Sequence, residues 1–191
     1  NEQKTLSFTE KWGVPYVPRR RPLDLDGIDL VVVSITTSNV ADVLRELLEQ
    51  DVSHITLMLD TPIMPFRDFK YLRLLGRFKD VLATEDWIAL PTVRIARKLI
   101  EDNTIGKVQK IWMMNSGYKH HAIAGMRRLS ASLYILSMKR LVFAGGYSEW
   151  SIRFPNNVRG VILEPRDYNA GRLLVAGSNG MIADYHIDAP G

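Results

Sequence analysis

The chain has 191 residues, of which 46% are hydrophobic and 24% charged, and its formal net charge is +4. That composition is typical of a soluble globular protein with room for one substantial domain or two small ones. There is no cysteine, which excludes disulfides, thiolate metal sites and a cysteine nucleophile and fits a reducing cytoplasm.

The sequence starts at Asn1 without an initiating Met, as a fragment or a processed form would, and Asn1–Glu10 has no signal-peptide character. Residues 4–12 read as a short helix, stopped by Gly13-Val14-Pro15-Tyr16. Arg19, Arg20 and Arg21 precede Pro22. This basic run is either a solvated loop or an attractor for an anion, and no recognition-helix pattern accompanies it to point to nucleic acid. After the Asp26-Gly27 turn, Ile28–Val33 is a β-branched and aliphatic run, as in a parallel strand buried on both faces. Its apolar core Leu30–Val33 is far below the roughly 20 residues that span a bilayer, so no membrane partner is expected. A polar loop, Ser34 to Asn39, follows, with Asn39 as a candidate helix cap. The apolar stripe Val40, Val43, Leu44, Leu47 and Leu48 predicts a helix over 40–50. With a second strand over 54–59 it makes a βαβ unit.

A helix over 66–78 and a strand over 80–85 come next. Pro91 suits the first turn of a helix that reaches about Asn103. Residues 107–114 read as a strand and 119–139 as a helix. Strands are predicted over 140–144, 149–154, 159–164 and 172–176, separated or followed by Gly145-Gly146, Asn156-Asn157 and Gly177-Ser178-Asn179-Gly180. Short turn-rich links suit an antiparallel sheet. The fold class is therefore α/β followed by α+β: a partial Rossmann-like parallel sheet over 1–84 and a mostly antiparallel sheet domain over 85–191.

The order of these motifs resembles the nicotinamide-dependent oxidoreductases of the glucose–fructose oxidoreductase and inositol dehydrogenase type. Gly13–Tyr16, Ile28–Val33, the helix 40–50 and the strand 54–59 are similar to that family's later Rossmann strands. Asp60-Thr61-Pro62 falls where the family carries Glu-Lys-Pro. Glu85-Asp86-Trp87 through Pro91, and then Ile105-Gly106-Lys107-Val108, resemble its domain junction. Tyr118-Lys119-His120-His121 resembles its active-site helix, and Gly177–Ile182 its Gly-x-x-Gly-x-Ile turn. There are three departures. No Gly-x-Gly-x-x-Gly occurs in the sequence, Thr61 replaces the family's catalytic Lys, and Gly117 and Tyr118 stand where an acid is common. The resemblance thus implies an N-terminally truncated or degenerate member, and a stretch that by itself holds the cofactor diphosphate poorly.

For the site, the resemblance implies NAD or NADP as cofactor, a sugar-like alcohol or related carbonyl as small-molecule substrate, and a homo-oligomer formed through the antiparallel sheet. Ser34, Thr36, Thr37 and Ser38 would touch the cofactor; the alternative is a loop that only caps a helix. Asp60, Thr61 and Pro62 would line the nicotinamide pocket, or form a strand-ending turn whose X-Pro bond is cis or trans. His121 is the candidate proton carrier, since imidazole titrates near neutrality, with Tyr118 orienting a hydroxyl; a partly buried structural His is the alternative. His120, about 100° away on a helix, is expected to point elsewhere, and Trp87 and Trp112 are expected in the core. No His, Asp or Glu cluster has metal-ligand spacing, so no metal is expected. A second functional reading is a catalytically silent relative that keeps a pocket as a ligand sensor or interaction protein.

Overall fold

A computed structural model of the chain describes residues 2–17, 23–115, 118–167 and 171–184. It divides into two compact units, Asn1–Ala83 and Thr84–Gly191. The arginine run 19–21 with Pro22, and Gly117, lie outside the described residues.

The first unit contains α1 (Glu2–Trp12), β1 (Leu30–Val33), α2 (Val40–Leu47), β2 (Thr56–Asp60) and β3 (Asp80–Thr84). The sheet order is β1-β2-β3, and β1 runs parallel to β2 from Leu30↔Thr56 to Val33↔Leu59. Leu44 and Leu47 of α2 are buried against Val33, Leu57 and Leu59. Each such side chain, fully buried, contributes roughly 1.5–3 kcal/mol.

Four local expectations for this unit change. β1 is buried on one face only, with Leu30 49% and Val32 57% exposed. Helix α2 stops at Leu47, where Glu49 and Gln50 turn back onto Glu46 and Leu47 with three-residue hydrogen bonds. Asn39 makes no side-chain cap; it ends a 3₁₀ turn, with its N–H donating to the Thr36 carbonyl at 2.8 Å. Residues Phe66–Arg77 wind as 3₁₀ turns rather than as an α-helix. Phe66, Phe69 and Leu72 of this stretch are exposed, with the rings of Phe66 and Phe69 5.2 Å apart, while Tyr71, Leu74 and Leu75 pack against the core of the unit.

The second unit contains α3 (Pro91–Glu101), β4 (Val108–Met114), α4 (Lys119–Ser130), β5 (Ser137–Val142), β6 (Ser148–Arg153), β7 (Arg159–Glu164), β8 (Arg172–Gly177) and β9 (Met181–Ala183). Its sheet order is β5-β6-β7-β4-β8-β9. Every neighbouring pair is antiparallel except β4 with β7. The mostly antiparallel sheet is therefore present, with one parallel pair at its centre and β9 added to it. Val93 and Ala96 of α3 and Ala122, Met126 and Leu129 of α4 pack on the sheet face that carries Ile111, Met113, Leu173 and Val175. Small residues bring α4 close: a Cβ at Gly125 would lie 3.0 Å from the Met113 Cε. Helix α4 is shorter than predicted because Ala131 takes the left-handed conformation, φ 52°. That conformation cannot continue a right-handed helix, so residues 137–139 are released to β5. Among the described residues no helix is long and apolar enough to cross a membrane.

Candidate active site

The first turn of α4 carries the titratable cluster of the second unit. His121 Nδ1 donates to Glu85 Oε1 at 2.8 Å, and both side chains are largely buried, at 13% and 12% exposure. The same Glu85 oxygen accepts the Trp87 backbone N–H at 3.2 Å, capping the 3₁₀ turn Asp86–Ala89. Local and long-range bonds thus fix one carboxylate oxygen. The Trp87 ring stacks on the imidazole of His121, with centroids 5.1 Å apart and planes 15° apart.

Tyr118 precedes α4 with an extended backbone, φ −69° and ψ 151°, and is half-exposed. Its ring stacks on His120 at 5.5 Å and meets His121 at 6.0 Å, while the Arg166 guanidinium lies 3.9 Å over it. His120 does not point elsewhere: its ring centroid is 4.1 Å from that of His121. Tyr118, just before the helix, bridges the two by stacking on His120 and meeting His121 at a tilt, so the three rings form one aromatic cluster. Trp87 and Trp112 are both half-buried rather than core residues. Trp87 covers His121, and Trp112 carries the Lys110 ammonium 4.4 Å above its ring. Lys119 in turn sits 4.2 Å over Trp150, whose indole N–H donates to Glu164 at 2.5 Å.

Chain spacing hides one further juxtaposition. Glu85, Asp86 and His121 each place a ligand-type atom within 4.8 Å of the others. Glu85 is already bonded to His121 and to the Trp87 N–H, and Asp86 is exposed. The group therefore has the form of a hydrogen-bonded acid–imidazole pair with a carboxylate beside it. Trp87 also lines a cavity of about 170 Å³ together with Thr92, Arg172 and Asp184. Burial raises the Asp184 carboxyl above its usual 3.8, although the Leu173 N–H and Arg172 pull the other way.

The other sequence candidates lie in the first unit, after the carboxyl ends of β1 and β2. The Ser34 hydroxyl donates to Asp60 Oδ2 at 2.9 Å. The Thr37 hydroxyl donates to the Pro62 carbonyl at 3.4 Å, and the Ser38 hydroxyl to Asn39 Oδ1 at 3.5 Å. The Thr61 N–H donates to Asp60 Oδ1 at 2.9 Å, and the Thr61–Pro62 peptide is cis. Thr36 is exposed before the 3₁₀ turn and makes no side-chain cap. The two loops are thus tied into one polar rim at the strand ends, where open α/β sheets take ligands. Glu85 was missed in the sequence because its partner lies 36 residues away. In the sequence Glu85 stands out only as part of the Glu85-Asp86-Trp87 segment that resembles the domain junction.

No family model matches the sequence, and no curated protein does. Solved structures do match. The myo-inositol 2-dehydrogenase of Lactobacillus plantarum superposes with a TM-score of 0.79 at 13% identity, over 96% of this chain and 66% of that one. The apo scyllo-inositol dehydrogenase of Lactobacillus casei gives 0.76 at 13% identity, over 98% and 65%. The same enzyme with bound NAD(H) and scyllo-inositol gives 0.69 at 10% identity, over 84% and 58%. The chain spans less than two thirds of the length of these structures. At these identities the likeness is one of fold, and it is the fold the sequence motifs implied.

Proposed function

We propose that the protein carrying this chain is a nicotinamide-dependent oxidoreductase acting on a secondary alcohol of a sugar-like polyol, or on the matching carbonyl. The observation that carries this reading is the Glu85–His121 pair, 2.8 Å apart at the start of α4. A carboxylate that accepts from Nδ1–H fixes the imidazole tautomer and leaves the Nε2 lone pair as the base. His121 then takes the hydroxyl proton at Nε2, and Glu85 stabilises the imidazolium that results. Trp87 covers one side of the imidazole and limits water there. Tyr118 holds a substrate hydroxyl beside the base.

The polar rim of the first unit fits the nicotinamide–ribose end of NAD or NADP. It offers the hydroxyls of Ser34, Thr36, Thr37 and Ser38 and the carboxylate of Asp60, and its segments 34–39 and 60–62 contain no Lys or Arg to pair with the diphosphate. When bound, the cofactor accepts or returns the hydride. Thr61 cannot act as a cationic acid, so His121 is left as the main proton-handling group.

The test is a dehydrogenase assay of the full-length protein with inositols and sugars. His121→Asn is expected to lower kcat by about 10²–10⁴-fold, the usual scale of general acid–base catalysis. Turnover that survives this change would remove His121 from the reaction. Polyol binding without turnover in the wild type would favour the ligand-sensor reading.

A further inference from the structure

A second cavity, of about 480 Å³, opens between α3 and α4 within the second unit. Its volume is in the range of small-ligand sites. Arg97, Arg127 and Arg128 line it, and Ile100, Leu129 and Leu133 supply apolar wall. Arg97 Nε is paired with Glu101 Oε1 at 2.5 Å. Its Nη1 atom is covered and finds no hydrogen-bond partner among the described residues. A charged donor left without an acceptor is costly. Rotation of the guanidinium about its last torsions would let that donor meet an acceptor in the cavity.

The charges around the cavity favour an anion. Three guanidinium groups face two carboxylates, Glu85 and Glu101. Glu101 is held by Arg97, and Glu85 is held by His121. Arg127 and Arg128, in the last turn of α4, are exposed and have the reach to close on a bound group. Planar guanidinium forks suit carboxylate and phosphate oxygens.

We propose that this cavity binds a small organic anion: a phosphate or carboxylate on an apolar body, with the anion on Arg97 and the body against Ile100, Leu129 and Leu133. The site does not depend on the oxidoreductase reading, and its test uses no cofactor.

The protein is titrated with phenyl phosphate, inorganic phosphate and phenol by calorimetry at low salt. Phenyl phosphate is expected to bind saturably. Inorganic phosphate, lacking the apolar body, and phenol, lacking the charge, should each bind about tenfold or more weaker. Arg97→Ala should weaken phenyl phosphate by about ten- to a hundredfold, the loss of a charge-assisted bond. Should that variant not fold, Leu133→Glu serves instead, since Leu133 is 72% exposed and its replacement puts negative charge on the rim. It too must weaken binding. No saturable binding at millimolar phenyl phosphate, equal affinity for inorganic phosphate, or unchanged affinity in the variant that folds would each overturn the proposal.

Discussion

At the scale of single residues, Glu85 joins two roles. One of its oxygens caps the turn before α3 and holds His121. Glu85→Ala strips the partner from two donors that are not fully exposed. It should cost about 1–3 kcal/mol for the groups left unsatisfied. Glu85→Gln keeps an accepting oxygen and should cost less. Urea denaturation of both variants checks this ordering, and equal stabilities would mean that the carboxylate does not hold the site together. Asp184 gives a second test. Its carboxyl is raised above 3.8 mainly by burial. A raised acid contributes stability that is full below its unfolded value and lost as pH rises through the folded value. The wild type should therefore lose stability with rising pH from 3.8 up to that raised value, relative to Asp184→Asn. The amide of Asn can still accept the Leu173 N–H. Denaturation midpoints of the two proteins against pH test this; curves that run parallel throughout would rule the linkage out.

At the scale of elements, the Gly-x-x-Gly turn between β8 and β9 has a steric origin. A Cβ at Gly177 would lie 2.1 Å from the Ile105 carbonyl oxygen. The Gly177 N–H donates to the Gly180 carbonyl at 2.9 Å, and the Asn179 N–H to the Ile105 carbonyl at 2.9 Å. The turn thus fastens β8 and β9 to the loop that leads into β4. Gly177→Ala must push backbone against backbone, and overpacking of that kind costs about 1–3 kcal/mol. A lower thermal midpoint, with faster amide exchange in β8 and β9, is the expected result; an unchanged midpoint would show that the contact yields freely. The motif was visible in the sequence, but the Ile105 carbonyl it closes on was not, since Ile105 lies 72 positions before Gly177.

At the scale of the whole molecule, both described α-helices of the second unit cover the same face of its sheet, that of Ile111 and Met113. The opposite face carries Trp112 paired with Val161 on one side and Leu174 on the other, and Met114 paired with Leu163. We propose this apolar band as the seat of the homo-oligomer that the sequence resemblance implied. Leu174→Lys places a charge in the middle of the band and should shift the protein toward monomer in sedimentation experiments. A wild type that is already monomeric at high concentration would count against association through this face.

The sequence by itself determined the order and type of most elements, because hydrophobic period, Pro91 and the Gly and Asn turns are local signals. It determined the parallel β1–β2 pair, since a single helix between two apolar runs admits little else. It also put His121 and Tyr118 at one helix end. The tertiary structure alone decided which partners those residues meet. Glu85 reaches His121 only after the sheet has brought α4 beside the turn that follows Glu85, and His120 joins the cluster by stacking on Tyr118. The early end of α4 depends on the left-handed Ala131, and the parallel β4–β7 contact on a register spanning about 50 residues. Such features are set by packing between distant segments, and no local period records them.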